Sequence, residues 1–168
     1  MSRIDPETNA TVATIRAGGS WSGALTAGEG AVWVVENDRK TGPRSEVGPG
    51  ISKIDPRSNT VVQTIRTPSG PSSVIAGQGV VLAAIQLEDR VLWIEPATDP
   101  AFVASTLPAG DDPVSLAFGE GAIWVANEDV GSVSRIDPNS KEIVGTLPVG
   151  RRVGGVAAGE GFVWVTVP

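Results

Sequence analysis

Three short stretches of this chain gather side chains able to do polar chemistry: Asp111-Asp112, Glu128-Asp129 and Arg151-Arg152. Neighbouring carboxylates can work as a pair on a glycosidic bond, one as acid and one as base or nucleophile. The same oxygens are the hard ligands that Ca²⁺ takes. Neither reading has the spacing that would make it specific. No EF-hand or nonapeptide calcium pattern surrounds these carboxylates, and loops of this kind place Asp and Glu side by side routinely. Zero cysteine excludes disulfides, thiolate metal sites and thiol nucleophiles. Zero histidine excludes the commonest general base and metal ligand at neutral pH. No metal or other cofactor is expected.

The elements that position these residues come from internal repetition. Ser2-Arg3-Ile4-Asp5-Pro6, Ser52-Lys53-Ile54-Asp55-Pro56 and Ser134-Arg135-Ile136-Asp137-Pro138 are near copies, and Leu92-Trp93-Ile94-Glu95-Pro96 is a degraded one. In step with them recur Gly28-Glu29-Gly30, Gly77-Gln78-Gly79, Gly119-Glu120-Gly121 and Gly159-Glu160-Gly161, each followed by an apolar run. A period of ~40–50 residues built of short strands is the mark of a propeller blade. A glycine-rich phosphate loop would need a following helix, whose N-terminus holds the anion. An apolar strand follows here, so each Gly-x-Gly is read as a hairpin turn.

One unit reads as four strands, A to D from the axis outward: Pro113–Phe118, Ala122–Asn127, Val133–Asp137 and Ile143–Leu147. The second is apolar on both faces, as a strand covered on both sides must be. The fourth is more polar and is placed outermost. The frame is offset at the ends, which supply only C and D (Arg3–Asp5, Thr11–Ile15) or only A and B (Gly155–Ala158, Phe162–Thr166). The expectation is an all-β propeller with four blades of four antiparallel strands per chain, one of them a composite joining the N- and C-terminal segments. The ring would close alone with four blades, or as an eight-bladed head-to-tail homodimer. One domain over 1–168 is expected, with units of about 17–66, 67–108, 109–148, and 149–168 plus 1–16. A polar insertion, Asn37 to Gly50, lengthens the first unit.

Trp33, Trp124 and Trp164 occupy one slot three residues after each turn, and Leu82 fills it in the second unit. A slot that takes Leu for Trp is filling space, so these are expected to pack between blades. Trp93 replaces the cation of its sister repeats and is placed on a blade surface or between blades. Trp21 is different: Gly70, Asp112 and Arg152 stand at its equivalents. Repeats keep what the fold needs and vary what a site needs. That points to the end where D–A and B–C loops open. The D–A loops carry Trp21, Ser22, Asp111, Asp112, Arg151 and Arg152. The B–C loops add Glu36, Asp38, Arg39, Glu88, Asp89, Arg90, Glu128 and Asp129. Propellers bind at one end of the channel, so Trp21, Ser22, Asp111, Asp112, Arg151, Arg152, Glu128 and Asp129 are the candidate binding residues. The competing reading is a solvated rim of mixed charge.

A net charge of −6 argues against a nucleic-acid partner. No run approaches the ~20 apolar residues of a membrane span. The first fifteen residues lack a signal-peptide profile, so a cytoplasmic chain, or part of a longer one, is expected.

The runs Ile-Asp-Pro-x-Thr/Ser-Asn, Val-x-x-Thr-Ile and Gly-Glu-Gly-Ala-x-Trp-Val resemble the repeats of virginiamycin B lyase-like and YVTN-type β-propellers over essentially the whole chain. The resemblance implies a ring of about seven blades and, in the lyase, elimination across an ester linkage using histidine and magnesium. With no histidine in this chain, no catalytic residue carries over. The reading is a non-catalytic module binding a protein or small ligand on the loop face. The alternatives are a diverged lyase or carboxylate-based hydrolase, or a structural piece of a longer propeller.

Overall fold

The computed structural model describes residues 1–17, 21–37 and 49–167, with only the backbone of Trp21, Ser22 and Asn37. Most of the Asn37–Gly50 insertion, Asp38 and Arg39 with it, lies outside the described residues. Each repeat folds as a strand meander. β1 (Ser2–Asp5) and β2 (Ala10–Thr14) form a two-stranded sheet. β3 (Trp21–Gly28), β4 (Ala31–Asn37), β5 (Gly50–Asp55) and β6 (Thr60–Arg66) form the first four-stranded sheet. The second holds β7 (Pro71–Gly77), β8 (Val80–Ile85), β9 (Arg90–Glu95) and β10 (Phe102–Pro108), with a single 3₁₀ turn at Gln86–Glu88. The third holds β11 (Pro113–Gly119), β12 (Ala122–Asn127), β13 (Ser132–Ile136) and β14 (Ile143–Pro148). β15 (Gly155–Gly159) and β16 (Phe162–Thr166) make a last two-stranded sheet. Sheet order follows chain order in all five, and every ladder is antiparallel. Among the described residues no ladder joins β1 to β16.

The apolar second strand of each repeat explains the stacking. Its alternate side chains leave opposite faces, so both faces must be covered. Trp33 and Val35 on β4 pack with Val74, Val81 and Ile94 of the next sheet. Leu82 and Trp93 on the other face of that sheet pack with Leu116, Ile123 and Val125. Trp93 therefore lies between blades, with its Nε1 donating to Glu95 at 3.2 Å and Lys141 Nζ 4.2 Å from its ring centroid. Trp33 is fully buried, and its Nε1 donates to the Gly28 carbonyl at 3.2 Å. Trp164 departs from expectation: it is 61% exposed, because no further sheet among the described residues lies on its face. The outer strand β14 is largely exposed, as its polarity predicts.

The A–B turns need φ > 0 at two successive residues. Gly30 and Gly121 sit at +74° and +70°, and the glutamates before them at +53° and +51°. That is the geometry of the two-residue hairpin turn whose twist matches its strands.

Near the loop end, each sheet carries its own interior. In the first, Ser52 Oγ donates to the buried Glu36 carboxylate and lies 3.1 Å from Thr64 Oγ1. In the third, Asn127 Nδ2 donates to Ser132 and Ser134 at 3.2 and 2.9 Å. In the second, the equivalent positions are Ile85 and Leu92, both buried.

Candidate functional site

The loop end is assembled by backbone N–H groups that donate to carbonyls and side-chain oxygens across the D–A and B–C loops. Glu128 N–H donates to the Asp112 carbonyl at 2.9 Å, and Asp112 N–H donates to Asp89 Oδ1 at 2.9 Å. Gly110 N–H donates to Asn127 Oδ1 at 3.0 Å. Val149 and Gly150 N–H both donate to the Gly131 carbonyl, at 2.9 and 3.2 Å. Gly131 has φ +58°, and a Cβ there would fall on the Gly150 carbonyl oxygen. Only glycine lets the two loops approach this closely. Asp112 itself takes φ +62°, a conformation that Asp tolerates better than most residues.

This pinning brings Asp112, Glu128 and Arg152 together. Arg152 Nε lies 3.6 Å from Glu128 Oε1, with both side chains reaching solvent. Glu128 and Arg152 rim a hollow floored by Val153, Gly154, Thr166 and Val167. Asp111, Asp129 and Arg151 stand exposed on the same loops. Trp21 and Ser22 place their backbone on β3 opposite Asn37 and Glu36, and their side chains lie outside the described residues. A second hollow, lined by Glu88, Asp89, Arg90, Thr106, Leu107 and Pro108, opens beside the next loop. Among the described residues no three His, Cys, Asp or Glu side chains converge as a metal would need.

Sequence reasoning takes Ser72 and Ser73 only as small residues that leave room at the axis, and misses the bonds that inner-strand serines make. Ser72 Oγ donates to the Pro113 carbonyl of the next sheet at 2.7 Å, and Val156 N–H donates to Ser115 Oγ at 3.2 Å. Small residues at the axis thus bond neighbouring inner strands as well as leaving room. Their recurrence in the A strands was the available signal.

The carboxyls held in their charged form by the backbone lie at the opposite end, in the Ile-Asp-Pro turns. Asp5, Asp55 and Asp137 are held below the ordinary carboxylate value, first of all by the backbone N–H groups of Glu7, Arg57 and Asn139. Asp137 Oδ1 accepts from Asn139 and Ser140 N–H at 2.7 and 3.1 Å. These aspartates close turns, which accounts for their repetition without a catalytic role.

No family model matches the chain, and no curated protein matches it. Its structural neighbours are β-propeller proteins. It is similar to Kuenenia stuttgartiensis hydrazine synthase at 13% identity and TM-score 0.75, over 91% of this chain and 44% of that one. It is similar to a functionally unknown protein from Desulfotomaculum acetoxidans DSM 771 at 14% identity and TM-score 0.74, over 90% and 50%. It is similar to the β-propeller domain of Myceliophteria thermophila Cps50 (Swd1) at 11% identity and TM-score 0.74, over 94% and 52%. The chain spans about half the length of these structures. Fold and neighbours define a β-propeller module. Among the described residues no helix is long and apolar enough to cross a membrane.

Proposed function

We propose that the chain is a non-catalytic β-propeller module that binds a protein or small ligand at its loop end. Its repeats are of the virginiamycin B lyase-like and YVTN kind. One observation carries the reading: the loops that differ most between repeats are fastened to each other by backbone N–H hydrogen bonds, so their charged ends are presented on a fixed frame. Arg152 and Glu128 at the rim of a partly apolar hollow are the centre of that surface. Fixed polar groups around an apolar floor suit recognition. A histidine- and cysteine-free chain offers such a surface little to activate a nucleophile with.

The test is a thermal-shift panel of oligosaccharides, nucleotides and short acidic and basic peptides. A ligand at 100 times its Kd adds about 2.7 kcal/mol to stability. A hit that disappears in Arg152→Ala supports the reading. A hit unchanged in Arg152→Ala/Glu128→Ala, or turnover of the ligand by purified protein, sinks it.

A further inference from the structure

The sheets at either end of the chain expose positions that their counterparts further in bury. Ile54, Ile94 and Ile136 are 0% exposed, and their counterpart Ile4 is 61% exposed. Trp33 and Leu82 are 0% exposed, and Trp164 is 61% exposed. Val74 and Leu116 on the inner strands are 3% and 5% exposed, and Leu25 at the same position is 58% exposed. Phe162 adds to the open face, its ring packed edge-on to Trp164 at 5.9 Å. Among the described residues, one face at each end of the chain has no cover, and β1 and β16 each have one edge with no ladder.

We propose that a second copy of this chain supplies both covers, by adding its β1 to β16 as an antiparallel third strand. The register follows from the complete sheets. Trp33 faces Lys53 and Trp124 faces Arg135 across the B–C ladders, with the cations 5.4 and 5.9 Å from the ring centroids. The flanking pairs are Val32 with Ile54 and Ile123 with Ile136. In the joined sheet Trp164 therefore faces Arg3, Val163 faces Ile4, and Val165 faces Ser2 of the other copy.

Arg3 is already half engaged. Lys53 does two things: its Nζ donates to the Pro96 carbonyl of the following sheet at 3.1 Å, and it lies over Trp33. Arg3 does the first of these, donating Nη1 to the Pro56 carbonyl at 2.8 Å. The tryptophan that completes the pattern is Trp164 of a partner. The turns agree. Glu29 accepts from Gly79 N–H and Glu120 accepts from Gly161 N–H, each at 3.0 Å and each on the next sheet. Glu160 then meets Gly30 of the second copy, and Trp164 packs on its Leu25 as Trp33 packs near Val74.

A second copy is favoured over closure of one chain on itself by the curvature of the arc. The chain superposes along 90–94% of its length on propellers of which it covers only 44–52%. An arc with that curvature is about half a ring, so its two end faces point the same way and cannot meet each other. Two copies joined twice give a closed two-fold ring. The inference rests on the propeller-module reading but needs no ligand at the loop end.

The chain has no cysteine, so a disulfide can report the register directly. Directly opposed strand residues have Cα atoms about 4.5–5.5 Å apart, within the ~4.4–6.8 Å a disulfide spans. Ser2→Cys/Val165→Cys under mild oxidation should give a covalent dimer, reversed by reductant. The diagonal pair Ser2→Cys/Val163→Cys, about 7–8 Å apart, should cross-link much less. Light scattering of the unaltered chain should read twice 17.2 kDa. Trp164→Ala should halve that mass while keeping its β-sheet circular dichroism. An intrachain disulfide at monomer mass, a ladder of higher multimers, or a dilution-independent mass of 17.2 kDa for the unaltered chain would each overturn the proposal. Loss of cooperative unfolding in the unaltered chain would count instead against the module reading.

Discussion

The carboxylate of Glu29 accepts the backbone N–H of Gly79 at 3.0 Å, tying the hairpin turn of one sheet to that of the next. Glu120 and Gly161 repeat the contact one interface further on. The glutamate of the Gly-Glu-Gly marker is therefore a clasp between blades, and its backbone accepts a left-handed conformation to reach it.

Replacing Glu29 or Glu120 with Ala should cost about 0.5–1 kcal/mol each, the lower part of the range for one hydrogen bond because both clasps face solvent. The two sit at different interfaces, so the losses should add. Urea midpoints of the single and double variants check this, and a double variant equal to wild type would show the clasps to be idle.

Gly30→Val and Gly121→Val test the turn itself. A Cβ at either position meets nothing within 4 Å, so space is not the obstacle. A β-branched residue at φ near +70° is the obstacle. The expected loss is about 1–3 kcal/mol, against a much smaller one for Gly30→Asn, which tolerates that conformation. Equal midpoints for the Val and Asn variants would refute the argument.

Asn127→Ala should be the costlier cut in the third sheet. It strips partners from Gly110 N–H, Ser132 and Ser134 in a fully buried setting. Stranded buried polar groups cost about 1–3 kcal/mol, and each kcal/mol moves Tm by roughly 2–4 °C in a chain of this size. Ser134→Ala should cost less, since Asn127 keeps Ser132. The reverse ranking by calorimetry would displace Asn127 from the centre of that network.

The Ile-Asp-Pro turns predict an acid limb. Asp5, Asp55 and Asp137 titrate below the ordinary 3.8 in the folded chain, first of all because backbone N–H groups hold the charged form. Their contribution is complete above the unfolded value and is lost as pH falls through the folded values. Urea midpoints should thus drop below about pH 4. An Asp55→Asn/Asp137→Asn variant should start lower at neutral pH and drop less. Parallel profiles for the two proteins would remove these aspartates from the acid transition.

Strand positions were legible where glycine turns punctuate them: Ala122–Asn127 and Phe162–Thr166 appear with the bounds their sequence implies. The C strand of the third sheet runs over Ser132–Ile136 in place of Val133–Asp137. Trp164 is exposed in the single chain although its sequence setting matches Trp33, because burial is not a local property and only its neighbours differ. At the loop end, Asp112, Glu128 and Arg152 were legible as variable charged positions. Gly131, which holds their loops together, was not, since one glycine in a polar turn carries no mark of the close approach it permits.

The unlike interiors of the three complete sheets bear on how the chain finds its fold. Tandem copies invite misassembly, because one repeat can dock where a sister belongs. Here a carboxylate and two hydroxyls fill the first sheet, Ile85 and Leu92 the second, and an amide with two serines the third. A B strand that paired with the second sheet's C strand would set Glu36 or Asn127 diagonal to Leu92, in place of the Ser52 or Ser134 hydroxyl that bonds it in its own sheet. The repeats share an outline but carry separate addresses, and mispairing is penalised before it can propagate.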